Sequence, residues 1–193
     1  MKRIAVYCGS SMGYAPVFEA AATALGEALA QRQIGLVYGG AKVGLMGAVA
    51  NGALRAGGQV IGVLPHFLQQ KELAHNGLSE LLLVDTMHER KMKMNELCDG
   101  VIALPGGFGT MEELFEMLTW GQLGLHRKPI GLLNVDGFYD ALLALAATMN
   151  EKGFLNTASR DMLLHSSDIN GLLEQLEAYE APAGHKWISK EQS

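Results

Sequence analysis

The chemistry open to this sequence rests on one arginine, one glutamate and a glycine-rich turn. Arg90 lies in the segment Met87-His88-Glu89-Arg90-Lys91-Met92-Lys93-Met94-Asn95-Glu96-Leu97-Cys98, where helical spacing puts it on one face with Met87, Met94 and Leu97. A guanidinium on an apolar face keeps its charge and needs an anion opposite, either a bound phosphate or a carboxylate of the protein itself. The turn, Leu104-Pro105-Gly106-Gly107-Phe108-Gly109-Thr110-Met111-Glu112-Glu113, joins an apolar run over residues 100–104 to a helical pattern marked by Leu114, Met117, Leu118 and Leu123. Glycines at such a junction let an anion approach backbone amides at the positive end of a helix dipole. Glu113 follows one turn later, sharing a face with Glu116 and Trp120. A carboxylate held near a sugar carbon can activate water or stabilise an oxocarbenium-like transition state.

Plainer readings exist for the same letters. Thr110 stands where an N-cap belongs, and Thr110-x-x-Glu113 has the form of a capping box, which would need no ligand. The helix dipole accounts for Glu112 and Glu116 in the opening turns, and Glu89 with Lys93 fits a solvated i, i+4 pair. The glycine spacing matches neither G-x-G-x-x-G nor G-x-x-x-x-G-K-[ST], so the common dinucleotide and Walker loops are excluded.

The elements that must position these residues alternate. A strand is expected over residues 3–7, a loop over 8–13, an alanine-rich helix over 16–31 with Pro16 in its first turn, and a strand over 35–38. A loop and helix over 39–56 and a strand over 60–64 complete a βαβαβ pattern, with later strands near 81–84, 101–104 and 130–133 and helices between them. This predicts a doubly wound parallel α/β sheet with helices on both faces, forming a single domain over 1–180 with a tail over 181–193. Ligands of such sheets bind beyond the carboxyl ends of the strands. Ser10, Gly39, Gly40 and Met94 are therefore candidates for the crevice, together with the segment 65–79, which reads as a loop or a short irregular helix. Gly39-Gly40-Ala41-Lys42-Val43-Gly44-Leu45-Met46-Gly47 is a second glycine-rich helix entry. Two such loops suit a nucleotide-sized ligand, although Gly44 and Gly47 would also serve close helix–sheet packing.

Composition narrows the classes. The chain has 193 residues, 49% of them hydrophobic and 18% charged, with a net charge of -5. These values describe one well-buried domain and argue against a nucleic-acid duplex as partner. The start, Met1-Lys2-Arg3-Ile4-Ala5-Val6-Tyr7, enters a strand directly and lacks the pattern of a signal peptide, and no apolar run is long enough to span a membrane, so a cytoplasmic protein is expected. Cys8 and Cys98 are too few for a disulfide framework, and the six histidines are scattered without metal-ligand spacing, so no metal site is expected.

Met87-His88-x-Arg90-Lys91 followed by Pro105-Gly106-Gly107-x-Gly109-Thr110-x-x-Glu113 resembles the signature of the Lonely Guy family of cytokinin-activating phosphoribohydrolases. The likeness extends to Cys8-Gly9-Ser10-Ser11, Tyr38-Gly39-Gly40, Gly44-Leu45-Met46-Gly47, Glu72, Leu118-Thr119-Trp120 and the run from Lys128 to Asn134. It implies a Rossmann-like homodimer that hydrolyses N6-substituted adenosine 5'-monophosphates, and often AMP, to the free base and ribose 5-phosphate without a cofactor. It also implies Arg90 and Glu113 as the catalytic pair. Gly106, Gly107, Phe108, Gly109 and Thr110 would hold the 5'-phosphate beside Met111, and Glu72, Lys91, Glu112 and Thr119 would contact substrate, Thr119 across the dimer. Members have been labelled lysine decarboxylases, a chemistry for which this chain is short and offers no clear pyridoxal phosphate site. Two other readings stay open: a broader purine or pyrimidine monophosphate nucleosidase, and a non-catalytic nucleotide-binding module. The apolar candidates for an N6 pocket are Met12, Met92, Met94 and Leu123.

Overall fold

The computed structural model describes residues 1–69 and 73–182. The chain runs β1 (Arg3–Tyr7), α1 (Pro16–Gln31), β2 (Gly35–Tyr38), α2 (Gly44–Arg55), β3 (Val60–Pro65), α3 (His66–Gln69), β4 (Glu80–Val84), α4 (Met87–Leu97), β5 (Gly100–Ala103) and α5 (Phe108–Gln122). It continues through β6 (Ile130–Leu133), a 3-10 turn (Val135–Gly137), α6 (Asp140–Glu151), α7 (Thr157–Arg160), β7 (Leu163–Ser166) and α8 (Ile169–Ala178). Seven strands pair in the order β4-β3-β2-β1-β5-β6-β7, and every pairing is parallel. This is a doubly wound, Rossmann-like sheet in a single domain.

Parallel strands covered on both faces must be apolar on both, and β1, β2, β3, β5 and β6 are buried almost throughout. The two-residue period then sorts their side chains between two cores. Ile4, Val6, Leu36 and Tyr38 join Leu25 and Leu29 of α1, Val49 of α2 and Leu172 of α8. Ala5, Tyr7 and Val37 join Met94 of α4 and Leu114 and Met117 of α5 on the other side. Adjacent residues of β1 therefore serve opposite faces.

The strand order reverses between β1 and β5, which splays the loops that follow them and opens a crevice there. Three loops converge on it. The Gly9 amide donates to Pro105 O at 3.0 Å, and the Leu45 amide donates to Gly9 O at 3.0 Å, linking the loops after β1 and β5 to the start of α2. Gly44, at φ 58°, lies so close to the Ser10 backbone that a Cβ would overlap it, so this glycine is needed for the contact as well as the conformation.

The elements expected over residues 3–38 and 130–133 appear with those bounds. The segment 65–79 holds the one-turn α3 and then a short antiparallel bridge, Ala41 to Ala74. The edge strand β7 had no sequence expectation, because Leu163-Leu164-His165-Ser166 is short and half-buried. Among the described residues no helix is long and apolar enough to cross a membrane.

Candidate active site

The crevice holds a cavity of about 290 Å³, near the lower end of ligand-site volumes. Helix α5 opens directly into it. Its N-cap is Gly107, in extended conformation and without a side-chain cap, and the first intrahelical bond runs from the Met111 amide to Gly107 O at 3.1 Å. The amides of Phe108, Gly109 and Thr110 are thus the free end of the helix, available to an anion. Helix α2, whose Met46 lines the same cavity, also lacks a side-chain cap. By contrast α4, α7 and α8 are capped by Thr86, Asn156 and Asp168.

This corrects the expected role of Thr110. The chain enters α5 earlier than the capping letters suggest, so Thr110 is the third helical residue rather than the cap. It is 4% exposed, lines the cavity and packs against Gly106, where a Cβ would overlap its hydroxyl. The capping arrangement forms instead at Thr86-x-x-Glu89: the Glu89 amide donates to Thr86 Oγ1 at 3.1 Å, and Glu89 Oε2 accepts from the Asp85 amide at 2.8 Å. Glu89 consequently does not pair with Lys93, which bonds Glu96 at 3.3 Å.

Glu113 turns its carboxylate toward α4. Arg90 Nη1 donates to Glu113 Oε1 at 2.9 Å and Arg90 Nε donates to Val63 O at 3.1 Å. Both residues are 9% exposed. The guanidinium fork is thus fixed at two points, by the Val63 carbonyl of β3 and by Glu113 of α5. Gly39 makes room for it, since a Cβ there would overlap Arg90 Nη2. Burial pushes the Glu113 carboxyl above the ordinary glutamate value, and Glu112 and Glu116 add to this, while the charges of Arg90 and Lys91 oppose it. The anion on the apolar face of α4 is therefore a carboxylate of the protein, and the two residues that the family resemblance pairs are in direct contact.

Ser10, Gly39, Met94, Gly107, Phe108, Gly109 and Glu112 line the cavity with that pair. Gly106 lies just behind, in an adjoining hollow shared with Ser10 and Gly107. Other candidates lie away from it. Met111 packs into the core beside α4 and α5, and Gly40, at φ 75°, turns the chain and accepts the His75 amide at 3.0 Å. Thr119 bonds back to Phe115 O at 2.7 Å and borders a separate apolar groove between α5 and α6. Lys91 is not among the lining residues; its ammonium sits between Glu112, at 2.5 Å, and Glu116, at 3.0 Å. Glu72 lies outside the described residues.

Met46, Met87 and Tyr7 also line the cavity, although none was singled out for the site, as does Cys8 at the start of the loop over 8–13. Tyr7 and Cys8 stand at the carboxyl end of β1, a position that marks the crevice in this fold; both are buried, and burial raises the phenol and thiol far above their ordinary values.

Fold and crevice define an α/β protein with an uncapped helix start beside a buried arginine–carboxylate pair. Residues 46–176 match the family model described as "Possible lysine decarboxylase". The chain is 46% identical to the cytokinin riboside 5'-monophosphate phosphoribohydrolase LOG7 of Arabidopsis thaliana, covering 93% of this chain and 82% of that one. It is 49% identical to the probable cytokinin riboside 5'-monophosphate phosphoribohydrolase LOGL1 of Oryza sativa subsp. japonica, covering 92% and 79%. The chain belongs to this family, the Lonely Guy phosphoribohydrolases. Its fold is shared with the molybdenum cofactor binding protein of Rippkaea orientalis, at TM-score 0.70 and 24% identity over 92% of this chain and 97% of that one. The molybdenum cofactor carrier protein of Chlamydomonas reinhardtii is similar at TM-score 0.69 and 21% identity, over 92% and 99%. Among the described residues no lysine lines the cavity.

Proposed function

We propose that this enzyme hydrolyses the N-glycosidic bond of N6-substituted adenosine 5'-monophosphates, and of AMP, releasing the free base and ribose 5-phosphate. The observation that carries this reading is the placement of the Arg90–Glu113 pair in the cavity into which the uncapped start of α5 opens. The 5'-phosphate binds the amides of Phe108, Gly109 and Thr110, with Gly107 giving it close approach and Gly106 letting Thr110 pack behind the loop. The ribose then reaches Glu113. Arg90 engages Oε1 of that carboxylate, so Oε2 is the oxygen that orients a water and takes its proton as the water attacks the anomeric carbon. The bond to the base breaks with its electron pair going to the base, which gains a proton as it leaves. Arg90 does not supply that proton, because a guanidinium holds its own; it fixes Glu113 and faces the substrate's anionic and ribose groups.

Met46, Met87 and Met94 form an apolar and adaptable wall of the cavity, which favours a substrate carrying an apolar N6 group. Of the other apolar candidates, Met12 borders only the adjoining hollow, and Met92 and Leu123 are not among the residues lining the cavity. Parallel assays with AMP and N6-isopentenyl-AMP test this: kcat/KM is expected to be higher for the prenylated substrate by about tenfold or more, the worth of burying a few methylenes. Equal or AMP-dominated turnover would exclude an N6 pocket and favour a broader nucleosidase.

The homodimer is supported by the groove between α5 and α6, about 200 Å³ in volume, with Phe115 41% and Leu145 47% exposed along it and Thr119 at its edge. Covering this face with a second copy would bury these side chains and bring Thr119 toward the neighbouring subunit. Leu145→Glu is expected to give a monomer in light scattering, whereas an unchanged dimeric mass would place the interface elsewhere.

A further inference from the structure

Helices α4 and α5 face each other with two cations against three carboxylates. Arg90 takes Glu113, while the next residue, Lys91, takes both neighbours of Glu113 on the α5 surface, Glu112 at 2.5 Å and Glu116 at 3.0 Å. The Lys91 side chain is 15% exposed and Glu116 22%, so this contact is far more shielded than an ordinary surface pair. Glu112 and Glu116 are one helical turn apart, and gripping both fixes the rotation of α5 about its axis at the point where Glu113 projects. With all five groups ionised the array carries one net negative charge. Without Lys91, Glu113 would lie beside two carboxylates with Arg90 as the single cation of the array.

We propose that Lys91 is a positioning residue for the reaction, anchored by Glu116: it holds Glu113 in line with Arg90 and keeps that carboxylate ionised. This rests on the reading of Glu113 as the group that activates water. It assigns Lys91 to the protein's own carboxylates rather than to the substrate, and gives Glu116 a role that helix-dipole stabilisation alone does not require. Burial on one side of Lys91 disfavours its charge, but its hydrogen bonds to Glu112 and Glu116 outweigh this and hold the ammonium protonated. The other groups near Glu113 are Arg90 of α4 and the phenol of Tyr7 and thiol of Cys8 at the end of β1; burial keeps the latter two protonated and neutral.

The test is a pH titration of the Glu113 side chain by carboxyl carbon NMR, assigned with Glu113→Gln, in the full chain and in Lys91→Met, Lys91→Arg and Glu116→Gln. It is paired with the pH profile of AMP hydrolysis in the same variants. Lys91→Met removes a nearby positive charge, so the Glu113 midpoint is expected to rise by about one pH unit, a tenfold change in proton affinity. Glu116→Gln removes a negative charge and is expected to move it down, and Lys91→Arg to restore it. The acidic limb of kcat should follow each shift, with KM changed less than about twofold. A Lys91→Met midpoint equal to that of the parent chain, or a large rise in KM with kcat and its acidic limb unmoved, would overturn the proposal and return Lys91 to substrate binding. Midpoints that shift as stated while the acidic limb stays in place would overturn the catalytic reading of Glu113 and the proposal with it.

Discussion

Glu113→Gln is expected to lower kcat for nucleotide hydrolysis by a factor of about 10²–10⁴, the usual contribution of a positioned acid–base group, with AMP affinity kept or raised. The amide oxygen of glutamine can still accept from Arg90 Nη1, as Oε1 does at 2.9 Å, so the contact between α4 and α5 persists while the base is lost. The parent enzyme should show the matching pH dependence. Burial raises the Glu113 carboxyl despite Arg90, so the active, ionised form is lost as pH falls through a value above the ordinary glutamate figure of about 4.3. Stability at this group runs the other way. A carboxyl that holds its proton more tightly when folded disfavours folding above its raised value, and that penalty is relieved as pH falls through it. Activity and the Glu113 contribution to stability should therefore change in opposite directions over the same window. Full turnover by a folded Glu113→Gln variant would remove the carboxylate from the mechanism.

Arg90→Met is expected to abolish turnover and also to destabilise the fold by about 3–5 kcal/mol at neutral pH, because it leaves a buried carboxylate without its counter-ion. The Val63 carbonyl, which accepts from Arg90 Nε at 3.1 Å, loses its donor as well. Denaturant titrations at pH 7 and near pH 5 separate the two costs: protonation of Glu113 should relieve the charge penalty at the lower pH and leave the smaller loss at Val63. Arg90→Lys is expected to rescue little, since an ammonium cannot reproduce the planar fork that reaches both partners. A loss below about 1 kcal/mol at pH 7 would mean that the buried pair does not form in solution.

Much of this site was legible in the sequence because its parts obey local rules. A guanidinium on an apolar helix face cannot be neutral, and a glycine turn between a buried strand and a helix exposes amides, so Arg90 and the 106–110 loop stood out before any contact was known. Their partnership was legible only through the family resemblance, not from local rules. Arg90 and Glu113 are 23 residues apart, on different helices, and α4 and α5 meet only once the reversal of strand order between β1 and β5 has set their positions. The capping letters misled for a local reason: Thr-x-x-Glu occurs at both 86–89 and 110–113, and only at the first does the chain turn into the helix at the threonine. Lys91, which the family resemblance implied as a substrate contact, pairs with two carboxylates of the next helix, which the periodicity of its own helix could not show. Tyr7 was hidden within an ordinary strand end, its place in the cavity set by the sheet rather than by its own neighbours.

The most direct test of the central claim is to supply the purified enzyme with AMP and with adenosine at equal concentration and follow free adenine and the released sugar. If the uncapped start of α5 holds the 5'-phosphate and thereby delivers the anomeric carbon to Glu113, AMP should yield adenine and ribose 5-phosphate in equal amounts, and adenosine should react at least about a hundredfold more slowly. Comparable hydrolysis of adenosine, or intact AMP after prolonged incubation with folded enzyme, would contradict it.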